Sequence, residues 1–534
     1  MKKILIYISC FTVTAIGCTK NFDEKNTDPT RASAESFNAN LLLPSAELGF
    51  TGAYSGNASP SLIISLWAQI FASAQYPSYY SNGDKYVASG NLTTYQASIW
   101  NGAFSAANYM QEVQNLVADK PELSNLANVA IIVKLMNLQL ITDVYGDMPF
   151  SEALQAKAGI SLPKYDKQQD IYPAMLSQLE AAITALDAAK AKPTNDALSY
   201  KGDIAKWKKF GYSLMLRMAM RLTKANAGVA QQYAEKAYAG GAMESAADDA
   251  YIKYDQANGF GNPNSGALLV PQDYSEIKWG KNLIEYFKTN NDPRLGLIAE
   301  ISQPGLANSA IQSLPGISTP ALQLGMPNGY DQNGGSTDIT NAPGYPGASG
   351  TGADANPVGN YSRAKTSVYM SQNAPVFIMT YGETELLFAE AAARGWNVGG
   401  SAALHYAKGV SGILQSYATF DASATIDATT ADAFAAAHPL DVSTTDASLK
   451  QINEQIWAST GTLFNFVEAW SNWRRSGYPV LTPVNYTGNF SGGTIPRREA
   501  YPTTEVSLNG ENYKAAVSAL SGGDLFNSRV WWDQ

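Results

Sequence analysis

Cysteine is almost missing from this chain, and its placement excludes more than its scarcity. Cys10 and Cys18 both lie in the first 18 of 534 residues. Everything after Cys18 is free of thiol, which removes disulfides, zinc–thiolate centres and a cysteine nucleophile from the body of the protein. Histidine is nearly as scarce, with His405 and His438 alone. Two distant histidines do not supply a histidine metal site, and neither has a nucleophile-elbow motif beside it. Basic charge is also short: 37 Lys and Arg stand against 46 Asp and Glu, giving a formal net charge of −9. No basic stripe interrupts that balance, so no nucleic-acid surface is expected. Apolar and aromatic residues are plentiful, with 45% hydrophobic content, 30 Tyr and 10 Trp. That is ample for a large core, and Tyr and Trp also suit surfaces that are apolar and hydrogen-bonding together.

The start of the chain reads as an address. Lys2 and Lys3 precede a mostly apolar run over residues 4–16. The run is shorter than the about 20 residues a spanning helix needs, and it ends in small residues, as a secretory signal does. Ala15-Ile16-Gly17-Cys18 resembles the lipobox of bacterial lipoproteins, with Ala15 where Leu is usual. That resemblance implies cleavage before Cys18 and acylation of its thiol. Thr19 rather than Asp follows, which in that class favours the outer membrane, and Asp23-Glu24 looks like a surface-export signal. More than one acyl chain anchors stably where a single chain does not. Residues 19–40 are polar and contain Asp28-Pro29, consistent with a tether.

Helical period dominates the body. Residues 125–144 are apolar nearly all round, which predicts a buried helix. From Asp170, read as an N-cap, Ile171, Met175, Leu179, Ala182 and Leu186 keep one face; from Asp203, Trp207, Phe210, Leu214 and Met218 do the same. Tyr233, Ala234, Ala237 and Tyr238 continue the pattern to a stop at Gly240-Gly241. Residues 383–394 place Leu386, Ala389 and Ala393 on one stripe before Gly395, and a second helix from Ser401 carries Leu404, Ala407, Ser411 and Leu414. Small residues facing each other let two axes approach closely, and a helix pair of this size resembles a tetratricopeptide unit of about 34 residues. Residues 251–365 differ, being rich in Gly, Pro, Asn and Ser with scattered Tyr and Trp. Such loops on a helical scaffold are where binding usually lives, and long surface loops with tyrosines folded back have the same composition. Residues 417–447 read as a peripheral excursion with a short helix.

Several strings are recognisable in order and spacing. They are TDVYGDMPFSEAL at 142–154, PVFIMTYGETELLFAEAAARGW at 375–396, NFVEAWSNWRRSGYPVL at 465–481, IPRREAYP at 495–502 and the terminal SRVWWDQ. With the Cys18 anchor and the NTDPT tether they resemble the SusD/RagB family of surface nutrient-binding lipoproteins, and the resemblance runs from Cys18 to the C-terminus. It implies a mostly α fold: a tetratricopeptide-like helix-pair scaffold with an irregular, loop-rich ligand-binding part. The organisation expected is a lipoprotein signal peptide at 1–17, lipidated Cys18 and tether at 18–40, an N-terminal helical part at 41–250, the loop-rich part at 251–365, and a C-terminal helical part at 366–534. The function implied is non-catalytic capture of an oligosaccharide or polysaccharide at the cell surface, and its delivery to a SusC-type TonB-dependent transporter in the outer membrane. The alternatives are the same scaffold binding peptides or another nutrient, and, from other classes, a glycosidase or a structural lipoprotein.

The residues themselves bear on each reading. A glycosidase needs two carboxylates. Glu383, Glu385 and Glu390 share one helix, where a polar face and repeat-to-repeat contacts are expected of them. In YGDMPF, Gly146 permits a tight turn and Asp147 caps backbone donors; Trp470 and Trp473 share a helix face, and Arg474 and Arg475 pair with Glu468 or with helix ends. A sugar presents an apolar C–H face that Tyr or Trp rings cover, and a hydroxyl edge that Asp, Asn, Gln and Arg satisfy. Two clusters fit that chemistry. One is Tyr79, Tyr80 and Asp84 in a turn-like stretch from Tyr76, followed by Trp100 and Asn101; the other is Trp279, Tyr330 and Tyr345 in the middle loops. Trp100 serves equally as a helix-core residue, and Tyr79 and Tyr80 cannot both point inward on one extended strand. No cofactor is expected beyond the lipid. Asp331-Gln332-Asn333-Gly334 resembles the start of a calcium loop whose later bidentate Glu is missing, so no metal ligand is assigned.

Overall fold

Apolar residues three and four apart build helices through most of the chain. The computed structural model describes residues 37–75, 79–88, 92–270, 275–302, 314–352 and 355–534. Cys18, nearly all of the tether, and Tyr76, Pro77 and Ser78 lie outside the described residues. In chain order the longer helices are α1 (Leu43–Ser55), α2 (Leu92–Val117), α3 (Ser124–Tyr145), α4 (Gln168–Ala185), α5 (Ile204–Arg221), α6 (Ala227–Gly240), α7 (Lys281–Thr289), α8 (Tyr381–Ala393), α9 (Ala402–Ser416), α10 (Ala428–Ala437), α11 (Thr445–Thr462), α12 (Phe466–Ser476) and α13 (Gly510–Ala519). Neighbours in sequence pack on each other: α1 on α2, α2 on α3, α3 on α4, α5 on α6, α8 on α9 and α11 on α12. This is the mostly α, helix-pair scaffold that the periodicity predicts.

Local chemistry sets the helix ends. Asp203 accepts from the Ala205 and Lys206 amides at the start of α5, and Ser401 accepts from the Leu404 amide at the start of α9. The start of α4 differs from expectation. Asp170 lies inside the first turn, and the helix begins at Gln168 because the Asp147 carboxylate, 21 residues upstream, accepts the Gln168 amide at 2.8 Å. Asp147 does cap a backbone donor, and Gly146 turns with φ +90°. The segment Pro121–Tyr145 is long and apolar enough to cross a membrane, yet 78% of its apolar window is buried inside the protein, so its hydrophobicity is that of a core helix.

The α8–α9 pair approaches more closely than its alanines explain. A Cβ on Gly382 would sit 2.5 Å from the Ile413 backbone nitrogen, and one on Gly409 would sit 2.7 Å from Leu386 Cγ. Glycines that the helical stripe does not single out therefore set this crossing.

Buried ion pairs join the helices across the core. Arg217 of α5 grips Glu383 of α8 through two bonds of 2.7 and 2.8 Å. Arg221 of α5 binds Glu468 of α12 and Asp143 of α3. Arg475 of α12 meets Glu390 of α8 at 2.6 and 2.8 Å. These contacts correct two expectations. Glu383, Glu385 and Glu390 form no polar face, since all three are buried, although they do make the repeat-to-repeat contacts. Glu468 is taken by α5, so Arg475 turns to α8 instead; Arg474 does reach a helix end, donating to the Asp143 carbonyl at 2.7 Å. A charge this deep requires a partner, because desolvation costs several kcal/mol per ion.

Short strands staple the loops onto the helices. They are β1 (Phe71–Ser73), β2 (Met148–Pro149), β3 (Tyr165–Asp166), β4 (Ala250–Lys253), β5 (Ile277–Trp279), β6 (Ala299–Glu300), β7 (Arg363–Ala364) and β8 (Pro375–Met379), paired antiparallel as β1–β5, β2–β3, β4–β8 and β6–β7. Asn40–Gln534 forms one compact unit, and the strand pairs join its N-terminal, loop-rich and C-terminal parts: β1 belongs to the first, β5 to the second and β8 to the third.

Candidate functional site

The β1–β5 pair carries a third segment on its flank. The Lys281 amide donates to the Met326 carbonyl at 2.8 Å, and the Met326 amide donates to the Trp279 carbonyl at 2.9 Å. The chain then leaves as Pro327-Asn328-Gly329-Tyr330 over a cavity of about 460 Å³. Its other walls are Gln69 just before β1, Lys281, Asn282 and Glu285 on α7, Ser336 and Thr337, and Thr482–Asn485 beyond α12. Such a volume lies within the about 300–1,000 Å³ common for ligand sites.

Buried carboxylates hold this loop in place. Asp84 is fully buried and accepts from the Asn328 side-chain amide at 2.6 Å, the Gly329 amide at 2.7 Å and the Ser73 amide at 3.2 Å. Lys85, equally buried, lies 3.3 Å from Asp84 and donates to the Ser73 carbonyl at 2.8 Å. Burial lowers the Lys85 pKa, and Asp84 works against that shift. Farther along, Asp331 accepts from the Asn333 amide, the Thr337 hydroxyl and, at 2.6 Å, the Tyr486 hydroxyl. The Asp331 carboxylate thus closes its own loop and joins it to the segment after α12. Gly329 has φ +87°, and a Cβ there would lie 2.8 Å from Val484 Cγ1, so both the turn and the close approach require glycine.

The polar wall has a direction. Asn282 donates its side-chain N–H to Gln69 Oε1 at 2.7 Å, Gln69 donates to the Thr482 carbonyl at 2.6 Å, and Asn328 donates to the Phe71 carbonyl at 2.9 Å as well as to Asp84. The amide nitrogens are engaged in the frame, which leaves the Asn282 and Asn328 side-chain carbonyl oxygens as acceptors. Lys281 and Glu285 lie 3.7 Å apart, one helical turn along α7, and balance each other's charge. Among the described residues Tyr330 is the one aromatic ring on the wall, half-buried against the Ile339, Ala342 and Val358 cluster.

The residues predicted from sequence fall in several places. Tyr330 and Tyr345 pack on that same cluster, with Tyr330 on the cavity and Tyr345 6.4 Å, ring to ring, from Tyr361. Asp84 stands behind Tyr330 as described. Trp279 is completely buried: Phe71 stacks on it at 4.6 Å and its Nε1 donates to the Ile298 carbonyl at 3.0 Å, so it offers no face to a ligand in this conformation. Its place in β5 against β1 is the reason, since its ring packs among Phe71, Tyr369 and Phe464. Trp100 is buried among Phe104, Tyr145, Tyr165 and Tyr501, as a helix-core residue, while Asn101 beside it on α2 is exposed. Tyr79 and Tyr80 occupy a turn leading into a short helix rather than a strand. Tyr80 is buried with its hydroxyl 3.3 Å from Asn57 Oδ1, and Tyr79, at φ +55°, is half-buried with its ring 4.8 Å from that of Tyr80. Gln69, Asn282, Asn328 and Asn485 line the cavity without standing out in the sequence. The Pro-Asn-Gly turn before Tyr330 and the Thr-Pro-Val-Asn stretch at 482–485 are the local signals that mark two of the walls.

Both histidines are occupied by structural bonds. His405 is buried with Nδ1 2.6 Å from Glu385 Oε2 and Nε2 3.0 Å from the Val398 carbonyl, and His438 Nδ1 lies 2.9 Å from the Phe434 carbonyl. Among the described residues no group of three or more His, Cys, Asp or Glu could hold a metal ion.

Comparison with known proteins places this architecture. No curated protein sequence matches the chain. A chitin-binding protein of known structure is 29% identical, with a TM-score of 0.78 over 93% of this chain and 100% of that one. A SusD-like protein of Bacteroidetes is 24% identical with a TM-score of 0.77, covering 93% and 100% of the two chains. A chitin-binding SusD homologue from Flavobacterium johnsoniae is 21% identical with a TM-score of 0.72, covering 92% and 99%. The last two are likenesses of fold. A family model described as starch-binding and associating with the outer membrane matches residues 35–502, almost the whole of the helical body and its loops, and the chain therefore belongs to the SusD-like family.

Proposed function

We propose that the chain captures a neutral, acetamido-bearing oligosaccharide at the cell surface, in the cavity beside Tyr330, and passes it uncleaved to a SusC-type TonB-dependent transporter. The observation that carries this reading is the make-up of the cavity wall. One tyrosine ring can cover a sugar's C–H face, while the Asn282 and Asn328 carbonyl oxygens accept from hydroxyls or from an acetamido N–H. The balanced Lys281–Glu285 pair favours an uncharged ligand. The 29% identical chitin-binding protein supports acetamido sugars as the class. Among the described residues Glu285 is the only carboxylate on the wall, and a glycosidase needs two, about 5–9.5 Å apart. One ring and a few hydrogen bonds give roughly micromolar to millimolar affinity, which suits capture and release when many copies meet a polymer. Acylated Cys18 holds the body at the membrane in this reading.

Titration of the protein with chitooligosaccharides, cello-oligosaccharides and peptides, with product analysis alongside, tests it. Chitooligosaccharides are expected to saturate without new products, and Tyr330→Ala is expected to weaken them about tenfold. Binding of peptides alone would favour the peptide alternative, and cleaved sugar would sink the non-catalytic reading.

A further inference from the structure

A second cavity, of about 340 Å³, opens where the Gly146-Asp147 turn, the start of α4, the end of α13 and the segment at 529–531 meet. None of its walls belongs to the cavity beside Tyr330. Its size is at the small end of the about 300–1,000 Å³ typical of ligand pockets, room for one or two sugar rings.

The ring on its wall is held from both sides in sequence. Val530 and Trp532 are buried, Trp532 Nε1 donates to Asp143 Oδ1 at 3.0 Å, and Arg497 binds Asp533. These anchors fix the segment and leave Trp531 between them, half-buried and lining the cavity. An indole presented on a clamped backbone loses little freedom when a ligand stacks on it.

Charge distinguishes this cavity from the first. Lys167 and Arg529 line it and are exposed, with one carboxylate, Asp147, opposing them. Asp147 already accepts the Gln168 amide. Among the described residues Arg529 uses only Nη1, 3.0 Å from Asp533, which leaves the rest of its guanidinium fork open, and the Lys167 ammonium makes no hydrogen bond. The 18-residue helix α4 starts at the same wall and adds the positive end of its dipole. Arg529 shares Asp533 with Arg497, so three cations, Lys167, Arg529 and Arg497, stand against two engaged carboxylates, Asp147 and Asp533, a local surplus of one positive charge in a chain of net charge −9. An apolar ring beside an open guanidinium matches a molecule with a C–H face and a carboxylate on one frame.

We propose that this cavity is a second glycan site, specific for an acidic sugar: a hexuronate residue whose ring stacks on Trp531 and whose carboxylate pairs with Arg529, with Lys167 beside it. The chain then carries two sites of different selectivity, one neutral and one for uronates, and it can hold a mixed or charged polymer at two points.

The test is calorimetric titration of the full-length protein in detergent with trigalacturonate and, separately, with its methyl ester. Trigalacturonate is expected to bind saturably and to weaken with added salt, with the ester at least about tenfold weaker. Trp531→Ala and Arg529→Gln are each expected to reduce trigalacturonate affinity about tenfold or more. Both variants should keep the wild-type urea midpoint, which separates a lost site from a lost fold whether or not chitooligosaccharides bind elsewhere. Equal binding of acid and ester, binding that survives both substitutions, absence of saturation, or loss of trigalacturonate binding in Tyr330→Ala would each overturn the proposal.

Discussion

Replacing Asp84 by Asn separates a ligand contact from a residue that holds the site. Every partner of the Asp84 carboxylate is a donor: the Ser73 and Gly329 amides, the Asn328 side chain and the Lys85 ammonium. An asparagine keeps one acceptor oxygen and turns an NH2 group toward the others. The Gly329 bond and the Lys85 pairing are lost together, and Lys85 stays buried without its counter-charge. A hydrogen bond to a charged group contributes about 1.5–3 kcal/mol, and breaking a buried pair costs about 3–5 kcal/mol. These contributions overlap, so the expected loss is about 4 kcal/mol, a large part of an ordinary protein's stability. Urea unfolding followed by tryptophan fluorescence measures it, and chitooligosaccharide titration of the remaining folded protein measures the site. The loop bearing Tyr330 loses its anchor, so affinity should fall as well. A variant within about 1 kcal/mol of the parent, with affinity alone reduced, would refute the positioning argument and make Asp84 a direct contact.

Two further outcomes rest on the buried contacts and a third on the N-terminal sequence. Burial alone would raise the Glu390 carboxyl, and Arg475 with Arg394 reverses this, holding it at about 2 against an ordinary 4.5. Its contribution is therefore present above about pH 4.5 and is lost as the pH falls toward about 2; Glu390→Gln should flatten that part of the acid unfolding profile as well as lower stability at neutral pH. Trp279→Ala should cost about 3–5 kcal/mol in urea, through the cavity it leaves in β1–β5 packing, and a well-folded Trp279→Ala protein that had lost only ligand binding would contradict its burial. Cys18→Ala should move the protein from the membrane pellet to the soluble fraction, and its retention in the pellet would count against acyl anchoring.

Much of the helical scaffold was legible from the chain because its causes are local. Asp203 and Ser401 cap helices through neighbours two or three residues on, and the stop after Gly240 is made by Gly241 in the left-handed region. Asp170 is not the cap for the opposite reason: the Asp147 carboxylate, from a distant turn, accepts the Gln168 amide, and the helix starts two residues before Asp170. The same holds for the buried charges. Arg217 and Glu383 are 166 residues apart, and no spacing rule links them.

The sites divide in the same way. Composition alone set aside thiol chemistry and thiolate or histidine metal sites and directed attention to aromatic and amide side chains, and the ordered strings identified the family. Which tyrosine or tryptophan faces a cavity was decided only in three dimensions. Trp279 and Tyr330 read alike in sequence as aromatics among turns, yet β5 carries one into the core while the Asp84-anchored turn holds the other over open space. The amide wall joins Gln69, Asn282, Asn328 and Asn485 from four distant stretches. Side-chain type is written residue by residue, whereas exposure and partnership depend on contacts between residues hundreds of positions apart, and only the folded chain brings those together.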